Sequence, residues 1–169
     1  MSSNAKTLYF GYGSNLCKQQ MYVRCPENKF LGTARLADWR WIINTSGYAN
    51  IVPSQGDEVW ALVYELSPAD EDKLDIFEGV PDSYVKQTIP VEYYGKTGYG
   101  ETRDGNWMVD ALVYVDVERV TEGPPKTEYI RRMNAAIVDA LAEGISKTYI
   151  EKYLRPCIPG QESSRSRSS

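Results

Sequence analysis

The chain has 169 residues, of which 42% are hydrophobic, 25% charged and 12% aromatic, the proportions of one globular domain with a core of its own. A formal charge of −4 argues against a nucleic-acid partner. No apolar run approaches the roughly 20 residues a membrane helix needs and Met1–Lys6 is polar, so no signal peptide, no membrane partner and a cytoplasmic location are expected.

Thr7–Phe10 reads as a short aromatic strand that runs into the turn Gly11-Tyr12-Gly13-Ser14-Asn15, after which Leu16–Tyr22 opens a helix. Gly11 and Gly13 offer conformational freedom and room for a ligand against the main chain, and such a turn can aim successive N–H groups at one anion. Neither nucleotide motif is complete. Gly11-x-Gly13 lacks the third glycine of a dinucleotide fingerprint, since position 16 is Leu. Gly95-Lys96-Thr97 ends like a phosphate loop, but Pro90 stands where the first glycine belongs.

Lys29–Leu36 and Trp39–Asn44 read as two strands parted by Ala37-Asp38, and Ala49–Val52 as a third, stopped by Pro53. Asn44-Thr45-Ser46 matches a glycosylation sequon that carries no meaning without secretion. Glu58–Leu66, apolar on both faces, reads as a central strand. Ser67-Pro68-Ala69-Asp70 has the N-cap, first-turn proline and acid of a helix start, and Gly79 with Pro81 sets the end after Glu78. Ser83–Tyr93 is a strand whose Pro90 marks an edge or bulge, and Gly95–Gly105 is a Gly-rich connection to the strand Trp107–Val117. Thr127 to Glu143 carries Ile130, Met133, Ile137, Val138 and Leu141 at helical spacing, and Ser146 caps a second short helix. The chain thus reads as a single domain over residues 1–159 and a disordered polar tail over 160–169, whose serines lie among arginines. About seven strands with one helix between them and helices at the end imply an α+β fold on a curved or barrel-like sheet.

Histidine is absent and the three cysteines, Cys17, Cys25 and Cys157, lack metal-site spacing, so triads, Cys-His dyads and most zinc sites are excluded and reduced thiols are expected. Proton transfer near neutral pH falls to a carboxylate, Lys, Tyr, Cys or the substrate. Glu78 stands out: it shares a helix face with Leu74, lies beside Phe77 and ends the helix, so burial and the helix dipole both raise its pKa. The competing reading is a surface carboxylate before a C-cap glycine. Tyr9, Tyr12, Tyr64, Tyr84, Tyr114 and Tyr129 sit near strand ends or loops, where a phenol serves a pocket or simply packs.

Tyr9-Phe10-Gly11-Tyr12-Gly13-Ser14-Asn15-Leu16 resembles the YFAYGSNL motif of the gamma-glutamyl cyclotransferases, with Gly11 where Ala is common. Ala34-Arg35-Leu36, Gly56-Asp57-Glu58-Val59-Trp60, Leu74-Asp75, Glu78-Gly79-Val80, Tyr84-Val85 and Pro124-Pro125-x3-Tyr129 are similar in order and spacing. The YGSNL loop, as in fungal stand-alone members, resembles the parent group more than the glutathione-specific one, with which it shares GYGS. The resemblance implies a small mixed β-barrel with flanking helices and release of 5-oxoproline from a small-molecule γ-glutamyl substrate, without cofactor or metal. It places the acid–base role on Glu78 and substrate binding on Tyr9, Phe10, Gly11, Tyr12, Gly13, Ser14, Asn15, Tyr84, Tyr114 and Tyr129. The leaving amine, expected to face Ser46–Gln55 and Gly95–Gly105, is left open, as is assembly, including a homodimer. The rival readings are a non-catalytic γ-glutamyl or amino-acid binder and a γ-glutamyl hydrolase or acyltransferase.

Overall fold

The computed structural model, which describes residues 6–160, is organised by one long antiparallel hairpin. Its arms are β2 (Lys29–Ile43) and β3 (Ala49–Leu66), joined by the turn in which the Asn44 amide donates to the Tyr48 carbonyl at 2.9 Å. Each arm is one strand where two were expected. The ladder passes from Trp39↔Pro53 to Ala37↔Glu58, so Asp38 bulges from one arm and residues 54–57 from the other. Asp38 takes φ 67, Gly56 takes φ 88, and the Gly56 amide donates to the Asp38 carboxylate at 2.9 Å. The local breakers were real, but they bend the ladder instead of ending it. Pro53 is tolerated because β1 (Thr7–Gly11) covers only Leu62–Leu66, which leaves that end of β3 with one neighbour.

β4 (Val85–Gly95), β5 (Glu101–Arg103) and β6 (Asn106–Val115) complete six strands in the order β1-β3-β2-β4-β6-β5. Pro90 lies opposite Asp110, where β4 has β6 but not β2 as a neighbour. A parallel pairing of Tyr9 with Leu112 joins β1 to β6, so five strands close a small mixed barrel and β5 hangs outside it. β3 is central between β1 and β2, with Val59, Ala61, Leu62, Val63 and Leu66 buried.

Helices flank the barrel. A 3-10 turn (Ser14–Leu16) precedes α1 (Lys18–Arg24), so the helix starts two residues later than the sequence suggests. α2 (Pro68–Glu78) begins as expected: the Ser67 hydroxyl accepts from the Asp70 amide at 3.1 Å and Pro68 fills the first helical position. It ends at Gly79, whose φ 67 and ψ 39 form a left-handed cap that returns the Val80 amide to the Asp75 carbonyl at 3.1 Å. Leu74, fully buried, seats α2 on the barrel and contributes about 2–3 kcal/mol by the area it removes from water.

α3 (Thr127–Ala142) buries Tyr129, Met133, Ala136, Ile137 and Ala140. Val138 and Leu141 are exposed, so the apolar stripe is narrower than the sequence reading and includes small residues. α4 (Lys147–Tyr149), capped by the Ser146 hydroxyl, passes into a π-helical turn (Ile150–Leu154). Beyond Gly160 the expected polar tail lies outside the described residues. No helix among the described residues is long and apolar enough to cross a membrane.

Candidate active site

The ends of β1, α1, α2 and β6, the β2–β3 turn and the start of α3 surround a cavity of about 610 Å³. A narrower chamber of about 40 Å³ shares Ser14, Glu78, Tyr84 and Tyr129 with it and is further lined by Tyr9, Tyr12, Gly13, Asn15, Ala49 and Tyr114. Glu78 and the Gly13–Asn15 stretch, 63 positions apart from Asn15, therefore face one small space.

Glu78 reaches the chamber because α2 stops there. Its side chain is 16% exposed, and burial pushes its carboxyl up to about 7, against the lowering influence of Arg24 and Arg132. Half the population is then charged near neutral pH, the condition under which one carboxyl both accepts and returns a proton. Arg24 Nη1 stands 4.0 Å from Glu78 Oε2. Asp75, one helical turn earlier, is occupied elsewhere: it accepts from Tyr114 Oη at 2.7 Å and from Lys86 Nζ at 3.0 Å.

The loop is held by side chains around it. The Tyr64 hydroxyl donates to the Asn15 carbonyl at 2.8 Å, and the Trp41 indole donates to the Tyr12 carbonyl at 2.9 Å. Asn15 Nδ2 donates to Tyr9 Oη at 2.9 Å, while its Oδ1 accepts from Gln20 Nε2 at 2.7 Å. Ser14 Oγ accepts from Gln20 at 2.8 Å and from Arg132 Nη2 at 3.2 Å. The nest of amides expected from the sequence is partial. The Ser14 amide donates to Tyr129 Oη at 3.1 Å, and those of Leu16 and Cys17 return to the carbonyls of Gly13 and Ser14. The amides of Gly13 and Asn15 make no hydrogen bond among the described residues.

The glycines serve space, not left-handed geometry: Gly13 sits at φ −110 and Gly11 lies within β1. A Cβ on Gly13 would stand 2.9 Å from Tyr129 Oη and 3.0 Å from Ala49 Cβ.

Of the residues expected at the site, Tyr9, Tyr12, Gly13, Ser14, Asn15, Glu78, Tyr84, Tyr114 and Tyr129 come together. Phe10 and Gly11 line neither space: Phe10 is fully buried in the core, and Gly11 ends the strand. Tyr64 supports the loop from beneath. Burial raises the phenol pKa values of Tyr9, Tyr12, Tyr84, Tyr114 and Tyr129, so these hydroxyls stay neutral. Tyr12 and Tyr84 spend theirs on the carbonyls of Tyr114 and Ala49, at 2.6 and 2.7 Å.

The sequence reading missed the cations. Arg24, Arg119, Lys126 and Arg132 line the cavity against two carboxylates, Glu78 and Asp116, so a chain of net charge −4 presents a cationic cleft. No local signal marks them, because they come from separate segments. Asn44 and Thr45, set aside as part of an idle sequon, also line the wall, beside Ser46 and Tyr48 of the Ser46–Gln55 stretch expected near the leaving amine. The Gly95–Gly105 connection does not: Tyr99 Oη bonds to Glu65 and the Lys96 amide to Leu31, away from the cavity. The fold therefore overturns its expected role beside the leaving group.

A protein family described as Gamma-glutamyl cyclotransferase, AIG2-like, matches residues 9–134. A Gamma-glutamylcyclotransferase of Homo sapiens is 37% identical over 83 residues, 43% of this chain and 44% of its own length. One of Mus musculus is 30% identical over 156 residues, 86% of this chain and 76% of its own. The chain thus spans less than half of the human relative. A solved structure named Gamma-glutamyl cyclotransferase superposes with a TM-score of 0.73 at 25% identity, covering 94% of this chain and 90% of its own.

Proposed function

The chain belongs to the gamma-glutamyl cyclotransferase, AIG2-like family, and on that premise we propose that it is a cofactor-independent gamma-glutamyl cyclotransferase acting on a small γ-glutamyl substrate in the cytoplasm. The observation that carries this reading is the meeting of Glu78, its carboxyl raised to about 7, with the Gly13–Asn15 loop in one chamber.

The substrate's own α-amine attacks its γ-carbonyl. A C–N bond forms within the glutamyl part, the amide C–N bond breaks, and the products are 5-oxoproline and a free amine. Ring closure is intramolecular, so holding the glutamyl chain folded supplies most of the acceleration; well-oriented closures reach effective molarities of about 10⁵–10⁸ M. Ionised Glu78 takes a proton from the α-ammonium and returns one to the leaving nitrogen. The second proton shed by the ring nitrogen follows the same path.

The free amides of Gly13 and Asn15 are the available donors for the α-carboxylate or the developing oxyanion, each such donor being worth about 2.7–4 kcal/mol in the barrier. Tyr9, Tyr84, Tyr114 and Tyr129 shape the chamber around the glutamyl part. The wider cavity, with Asn44, Thr45, Ser46 and Tyr48, receives the leaving amine, and its four cations favour an anionic ligand.

Mass spectrometry of products from γ-glutamyl-alanine, γ-glutamyl-lysine and glutathione tests the proposal. The parent should form 5-oxoproline from at least one, and Glu78→Gln should fold and form none. Free glutamate would mark a hydrolase, and parental turnover by Glu78→Gln would remove the carboxylate from the mechanism.

A further inference from the structure

Arg24 closes α1, yet its side chain is only 17% exposed, because the guanidinium turns under the end of α2. Three contacts hold it there. Nη1 donates to Asn15 Oδ1 at 3.4 Å, the guanidinium carbon lies 4.8 Å from the centre of the Phe77 ring, and Nη1 stands 4.0 Å from Glu78 Oε2. We propose that Arg24 is a positioning residue for the proton-carrying glutamate: seated by Asn15 and Phe77, its guanidinium holds the Glu78 carboxyl at the chamber wall and favours its charged form without bonding to it. This inference rests on the reading of Glu78 given above.

The distance is what makes the arrangement useful. At 4.0 Å there is no hydrogen bond, so both carboxylate oxygens keep lone pairs for a substrate proton, while the attraction between the charges persists because both side chains are largely buried. A bonded pair would fix the carboxylate in its charged form; with no cation, burial would hold it protonated. The seat also explains Phe77, which is 55% exposed although it is a large aromatic: its ring offers a face to the guanidinium beside Glu78. Asn15 in turn is fixed by Tyr9 and Gln20, so one side chain ties the base to the loop.

Of the other groups around Glu78, Arg132 exerts the same lowering influence, second to that of Arg24. From α3, Arg132 is paired with Glu128 at 3.3 Å and spends further donors on Gln20 and Ser14. From β1 and its turn, Tyr9 and Tyr12 are neutral, as are Tyr84, and Tyr114 of β6. Among the described residues, Glu78 is the one carboxylate that pairs with Arg24. Burial is the main reason the Glu78 carboxyl titrates high, and Arg24 is the first influence opposing it.

The test is the titration of the Glu78 carboxyl by difference infrared spectroscopy on the full chain, assigned against Glu78→Gln, in the parent, Arg24→Gln, Arg24→Lys and Phe77→Leu. The midpoint should rise by about one unit in Arg24→Gln, stay near the parent in Arg24→Lys and rise less in Phe77→Leu. The acid limb of kcat/KM should move with it. An unmoved or lowered midpoint in Arg24→Gln overturns the inference, and so does a raised KM with the acid limb in place, which marks direct contact with substrate. Phe77 is surface-exposed, so its variant decides the matter if Arg24→Gln does not fold: an unmoved midpoint there overturns the seat. A parent that makes no 5-oxoproline defeats the proposed activity alone, because the spectroscopic midpoint needs no turnover.

Discussion

The backbone amide of Ser14 donates to the phenolic oxygen of Tyr129 at 3.1 Å, across 115 positions of the chain. This bond fastens the glycine loop to the first turn of α3. It also fixes how close Gly13 must come, since the same oxygen would lie 2.9 Å from any Cβ placed there.

Gly13→Ala should therefore cost about 1–3 kcal/mol of stability, because the crowding atoms belong to a buried tyrosine and to a strand residue. Tyr129→Phe should cost about 1–3 kcal/mol by orphaning the Ser14 amide. The two neighbours share one contact, so the double variant should be less destabilised than the sum of the single ones. Urea melts of all four proteins measure this, and strict additivity would show that the hydroxyl is not what excludes the methyl.

The pH dependence of stability carries the mark of Glu78. Its carboxyl titrates at about 7 when folded against an ordinary 4.5. Between those values the folded chain holds a proton that the unfolded chain has released, so stability falls as pH rises; the contribution is complete below 4.5 and gone above 7. Melts from about pH 4 to about pH 8 should show the parent losing about 1–3 kcal/mol relative to Glu78→Gln. Turnover should move the opposite way, rising through about pH 7 as the base ionises. Parallel stability curves for the two proteins would place Glu78 in water.

Gly79 is where α2 stops and Glu78 is aimed. Its left-handed φ of 67 strains any side chain, and a Cβ would meet Ser83 Oγ at 2.9 Å. Gly79→Ala should lower stability by about 1–2 kcal/mol. A melting curve that overlays the parent would mean the cap does not constrain the helix end.

The sequence carried much of the site itself. Helix ends are written locally, in Ser67, Pro68 and Gly79, so the position of Glu78 at the terminus of α2 was legible without neighbours. The same holds for the strand and turn at Tyr9–Asn15. Strand length was not legible. Pro53, Gly56 and Asp38 break the local pattern, and only their partners across the ladder decide that the chain continues as a bulge.

What the residues determined alone is therefore what depends on short-range geometry: caps, turns, the helix face shared by Leu74 and Glu78, and the lack of histidine that leaves proton transfer to other groups. The tertiary structure decided what depends on distance between remote segments. Closing β1 onto β6 brings Tyr9 beside Tyr114, and docking α1 and α3 at the same mouth surrounds Glu78 with Arg24 and Arg132. Burial and the nearness of charge set that carboxyl near 7, and both arise from side chains that the sequence scatters over more than a hundred positions.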